Sequence, residues 1–61
     1  STKELYGMCQ RNLEDIENLK GTVATQQQEI KGLKDQMQKM IEENQRLKSD
    51  VEEIKRMLQN R

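Results

Sequence analysis

The sequence predicts an all-α chain, one long helix per copy, that joins other copies in a parallel, in-register, left-handed coiled coil. Three observations lead there: a seven-residue apolar repeat that keeps its phase along the chain, opposite charges on the two sides of that repeat, and the absence of proline. With the repeat written abcdefg, position a takes Thr2, Cys9, Ile16, Val23, Ile30, Met37, Asn44, Val51 and Leu58. Position d takes Leu5, Asn12, Leu19, Gln26, Leu33, Met40, Leu47, Ile54 and Arg61. Thirteen of the nineteen apolar residues fall on these two positions, which sets the chain apart from the disordered class that its 36% charged residues would otherwise suggest. A period near 3.5 keeps one stripe turned toward a neighbouring helix, and its mismatch with 3.6 residues per turn imposes the left-handed supercoil.

The helix is expected to start at Ser1, which forms the capping-box pattern with Glu4. Gly7 and Gly21 fall at f and Gly32 at c, all on the outer face. Each costs about 1 kcal/mol of helix propensity without disturbing the seam. Residues 21–28, Gly-Thr-Val-Ala-Thr-Gln-Gln-Gln, combine poor helix formers with Gln26 in the seam and are expected to be the weakest stretch. They do not form a linker, because the phase from Val23 to Ile30 is kept. Residues 1–61 thus read as one oligomerisation segment. Beginning at Ser1 without an initiator Met and still in phase at Arg61, it is expected to be an excerpt of a longer protein.

Composition supports association by a separate route. With 61 residues, no Phe, no Trp and one Tyr, the chain has too little apolar surface for a conventional core. Ordering it costs about 1.5 kcal/mol per residue, and a lone helix would leave its whole stripe in water. The formal net charge is zero, with eleven basic and eleven acidic residues interspersed. A basic-zipper DNA reader needs a dense cationic run before its heptads, yet the first fifteen residues carry only Lys3 and Arg11. No nucleic-acid partner is expected. No run approaches the roughly 20 apolar residues of a membrane span, and no signal-peptide pattern is visible. A soluble chain is expected, with some preference for an intracellular setting.

The flanks of the repeat carry the orientation. At g stand Asp15, Glu29, Glu43 and Asp50, and at the e position five residues later stand Lys20, Lys34, Lys48 and Lys55. In a parallel, in-register pair each g residue meets the e residue of the next heptad on the other helix, so all four contacts are attractive. Antiparallel packing would set acid against acid and lysine against lysine. Each exposed pair contributes only about 0.3 to 0.5 kcal/mol, so these charges choose an arrangement more than they hold it together. Because they complement themselves, a second copy of the same chain suffices as partner.

Strand number follows from side-chain shape in the seam. β-Branched Ile16, Val23, Ile30 and Val51 at a, with Leu19, Leu33 and Leu47 at d, is the dimer preference. Asn44 at a supports it, since two facing amides can bond only when the register is correct. Against it, Asn12 and Gln26 are polar at d, while Leu13 and Ile41 at e with Met8 and Met57 at g widen the apolar face, which suits three helices next and four after that. Cys9 at a faces its symmetry mate, so an interchain disulfide is within geometric reach; the simpler reading is a small buried hydrophobe. Met37 and Met40 form two flexible layers that read as gap-filling core ahead of an adaptable docking patch. Tyr6 at e could cover Cys9 or contact a partner.

No enzyme activity, cofactor or metal is expected. The chain has no His, no Ser/His/Asp or Cys/His set, no glycine-rich phosphate loop and no metal-ligand spacing. Carboxylates such as Glu42, Glu43, Glu52 and Glu53 lie on solvated faces, and a rod offers no concave pocket.

Three roles fit these features. The first is a homo-oligomerisation segment, a rod of about 90 Å at 1.5 Å per residue, that clusters or spaces whatever is attached to it. The second is a heteromeric adaptor whose seam or outer face binds a different helical protein. The third comes from a resemblance: Gln26 at d, between the Val23 and Ile30 layers and with heptads on both sides, is similar to the central glutamine layer of SNARE motifs. Over most of the chain that resemblance implies a membrane-fusion helix in a mixed four-helix bundle. The sequence departs from the pattern in the added amides Asn12 and Asn44, in the lack of a membrane anchor after Leu58, and in its self-complementary charges.

Overall fold

The computed structural model describes residues 1–61 and is all-α. Its one element, α1, spans Thr2–Gln59. The chain divides into two units, Ser1–Ile30 and Lys31–Arg61, each described by itself.

In the first unit the start of the helix is fixed by local chemistry. The Glu4 backbone N–H donates to the Ser1 hydroxyl oxygen at 3.2 Å, and the Ser1 amino group donates to Glu4 Oε2 at 3.4 Å. This is the reciprocal cap expected from the two residues, and it satisfies donors that have no partner inside the helix. The Leu5 N–H then donates to the Ser1 carbonyl at 3.1 Å, opening the i to i−4 ladder. Glu4 also lies in the first turn, where the helix dipole favours a negative charge. The backbone stays helical through residues 21–28. There the Thr22 hydroxyl donates back to the Asn18 carbonyl at 3.1 Å, a bond that satisfies the side chain while competing with the ladder. No residue has a positive φ, the glycines included.

In the second unit one side-chain hydrogen bond joins neighbours on the helix surface. Gln38 Nε2 donates to Glu42 Oε1 at 3.3 Å, one turn on. Arg56 occupies the last turn, where a cation offsets the dipole, and the Asn60 N–H donates to the Arg56 carbonyl at 3.1 Å as the helix ends.

Neither unit folds back on itself. Within each, the backbone approaches only residues fewer than twelve positions away. No side chain is buried in either, and there is no core. Helices of globular proteins draw most of their stability from packing an apolar face, so the residues of that face become the candidate site.

Candidate functional site

Side chains three, four and seven positions apart share one face of a helix, so α1 presents the a and d residues as a stripe. In the first unit the stripe comprises Leu5, Cys9, Ile16, Leu19, Val23 and Ile30; in the second, Leu33, Met37, Met40, Asn44, Leu47, Val51, Ile54 and Leu58. Every one of them is exposed. Their reach from the axis differs by residue type. Ile16, Val23, Ile30 and Val51 are 46–50% exposed, because methyls branched at Cβ lie against their own backbone. Leu19 and Leu33 stand out at 62%, with the branch one carbon further from the backbone. At these positions the stripe therefore has tall leucines at d and low β-branched residues at a, an order that reverses at Ile54 (d) and Leu58 (a). Between them, Ile16, Leu19, Lys20 and Val23 wall a shallow open depression, which continues along Ala24 and Gln27.

The flanking charges are separated by the stripe. Five residues turn the helix by about 500°, which leaves a g residue and the following e residue about 140° apart. Asp15 and Lys20 thus lie on opposite sides of the seam, and so do Glu29 and Lys34, Glu43 and Lys48, and Asp50 and Lys55. None of these four pairs forms an ion pair within the chain. Two of the lysines have other partners: Lys20 Nζ lies 3.7 Å from Glu17 Oε1, and Lys55 Nζ lies 3.8 Å from Glu52 Oε1. Glu17 and Glu52 at b were not singled out by the heptad reading, which looked only across the seam. Their signal was an acid three residues before the lysine, the ordinary spacing of neighbours on a helix surface.

Cys9 is a free, exposed thiol, and Tyr6 beside it is exposed as well. Asn12, Gln26 and Asn44 make no side-chain hydrogen bond within the chain. No group of three His, Cys, Asp or Glu side chains could hold a metal ion. No helix is long and apolar enough to cross a membrane.

Set against protein-family models, curated proteins and solved structures, the chain matches none. Its functional reading rests on its own side chains.

Proposed function

We propose that this chain is a homo-oligomerisation module: copies lie side by side in a parallel, in-register coiled coil, two-stranded before three or four, and so cluster or space the modules they carry. The observation that carries this reading is the unburied stripe, in which every a and d side chain that a partner helix could cover is exposed to solvent. Burying apolar area contributes about 25 cal/mol per Å², and a second helix is the surface that matches a seven-residue spacing. The depression walled by Ile16, Leu19, Lys20 and Val23 supports it, since residues at a, d, e and the next a make up a hole that accepts a d-position knob such as Leu19 of another copy. The separated charges favour a second copy over a different helical protein, because each acid at g finds a lysine at e on an identical chain. The same charges weigh against the mixed bundle of a fusion helix. Catalysis has no part in this reading.

The experiment is to follow helicity and mass together. Circular dichroism should show a helical chain whose melting temperature rises with concentration, as when folding and association are one event. Sedimentation equilibrium should give two chains per particle. A helical monomer at high micromolar concentration would rule out self-association.

A further inference from the structure

The flanks of the seam repeat every two heptads. At g, charged Asp15, Glu29 and Glu43 alternate with uncharged Met8, Thr22 and Gln36; at e, Lys20, Lys34 and Lys48 alternate with Leu13, Gln27 and Ile41. The core follows the same beat as far as Met40, after which the charged-flank heptad of Glu43 and Lys48 holds Asn44 with Leu47. Heptads with charged flanks hold Ile16 and Leu19, or Ile30 and Leu33. Those with uncharged flanks hold Cys9 and Asn12, Val23 and Gln26, or Met37 and Met40. The alternation ends after Glu43, since Asp50 and Lys55 are charged in the following heptad as well.

From this alternation we infer that the chain carries a register code that selects a second copy of itself at zero offset and rejects the one-heptad slip. The inference rests on the parallel homo-oligomer proposed above. At zero offset every charged g residue meets a lysine, and Met8 meets Leu13 of the other copy, apolar against apolar. A slip by one heptad sends Asp15 to Gln27 on one side and Leu13 on the other, and Glu29 to Ile41 and Gln27. Of the attractive contacts, only Glu43 with Lys55 and Asp50 with Lys48 survive. The amide layers fail together: Asn12 meets Leu5 or Leu19, Gln26 meets Leu19 or Leu33, and Asn44 meets Met37 or Val51. A plain seven-residue charge pattern lacks this property, since every heptad slip would keep most of its pairs. The two-heptad slip is the nearest competitor. It sets Asn12 against Gln26 and Asp15 against Lys34, but it leaves two heptads of seam at each end uncovered and buries Asn44 against Ile30 or Leu58.

Disulfide trapping between seam positions reads the register directly. Two single-cysteine chains, Ile30→Cys and Met37→Cys, each in a Cys9→Ala background, are mixed in equal amounts in a glutathione buffer, and their disulfides are counted by mass spectrometry. A one-heptad offset displaces the two Cα atoms by about 10 Å along the axis, beyond the reach of a disulfide, so a 30–37 bond reports the slipped register alone. Same-site disulfides are expected to exceed the mixed one by more than about ten-fold. In chains that also carry Thr22→Glu, Gln27→Lys, Gln36→Glu and Ile41→Lys, the uncharged flanks are filled without changing net charge, and the mixed disulfide should rise several-fold. The pair Thr22→Glu and Gln27→Lys alone, which removes no apolar residue, should raise it less. Mixed disulfides as abundant as same-site ones in the original flanks would overturn the register code and leave the parallel homomer standing. Filled flanks that yield no added mixed product would do the same. Sedimentation showing only monomer, or associated chains that form neither the same-site nor the mixed disulfide, would instead remove the parallel homomer itself.

Discussion

Lys20 Nζ sits 3.7 Å from Glu17 Oε1, one turn back on the same helix. Lys55 is held by Glu52 in the same way at 3.8 Å. Lys34 and Lys48 form no ion pair within the chain. The sequence explains the difference: Lys34 has Lys31 three residues before it, Lys48 has Gln45, and Glu52, one turn beyond Lys48, is already engaged with Lys55. A lysine that must leave a carboxylate on its own helix gains less from a partner than one that is free.

Reversing Lys34 and Lys48 to Glu should therefore weaken association more than reversing Lys20 and Lys55. From the worth of exposed pairs, the first double variant is expected to lose about 1 to 3 kcal/mol per dimer at low salt, and less in 1 M salt as screening shortens the interaction. Melting temperatures at fixed chain concentration in the two salts check this. Equal stability of the parent and the variant in both salts would remove the charge-based choice of parallel chains.

Asn44 is exposed and makes no side-chain hydrogen bond within its own chain, so in the proposed parallel pair its amide is free to bond its counterpart. Replacing it with Val or Ile should raise the melting temperature while allowing a second oligomeric state, because register and strand number lose a polar constraint. Sedimentation equilibrium and thermal melts together test it. Lower stability with an unchanged single state would show that the amide makes contacts beyond those of a register layer.

A Cβ added at Gly21 or at Gly32 meets nothing within 4 Å. Neither backbone needs a positive φ. Gly21→Ala and Gly32→Ala should accordingly stabilise the helix by about 0.5 to 1 kcal/mol each and leave strand number unchanged. Thermal melts at matched concentration measure the gain. A loss at either site would mean that something packs closely against the outer face.

The helix and its N-terminal cap were legible because both are local: Ser1 and Glu4 lie three residues apart, and the uninterrupted phase from Leu5 to Leu58 leaves no room for a turn. The helical backbone at Gly21 and Gly32 was legible for the same reason, since neither interrupts the phase on either side of it. The engagement of Lys20 and Lys55 was missed because seam and surface compete for one ammonium group, and a reading across the seam ranks Asp15 above the nearer Glu17. Strand number is encoded more faintly. The same Ile16 and Leu19 that favour two strands share the helix with Leu13 and Ile41, whose apolar side chains broaden the face, and the shapes that separate these outcomes differ by a methyl group or two.

Cys9 is a free, exposed thiol in the chain and an a-position residue in the seam. In a parallel, in-register pair its counterpart lies directly opposite, so mild oxidation should yield a disulfide-linked dimer that keeps its helicity. Linking the chains makes unfolding unimolecular, and the melting temperature should then lose its dependence on concentration. Non-reducing electrophoresis and melts at two concentrations check both outcomes. Oxidation that produces no linked dimer from associated chains would show that the two Cys9 thiols do not meet in bonding geometry, as in a slipped register or an antiparallel pair.

Residues 21–28 should be the first interior stretch to open. They contain no charged side chain, so no surface ion pair crosses them, and the seam there carries Gln26 in place of a leucine. The Thr22 hydroxyl bonded to the Asn18 carbonyl at 3.1 Å draws on an acceptor that the ladder also uses, and Gly21 adds backbone freedom beside it. Amide hydrogen exchange on the assembled protein should therefore show faster exchange across 21–28 than in the heptads of Ile16 and Leu19 or Ile30 and Leu33. Gln26→Leu should slow it more than Thr22→Ala, because the first substitution adds a buried layer and the second only removes a competitor for the backbone. Uniform exchange along the chain would mean that the heptad flanks hold this stretch as firmly as the leucine layers hold theirs.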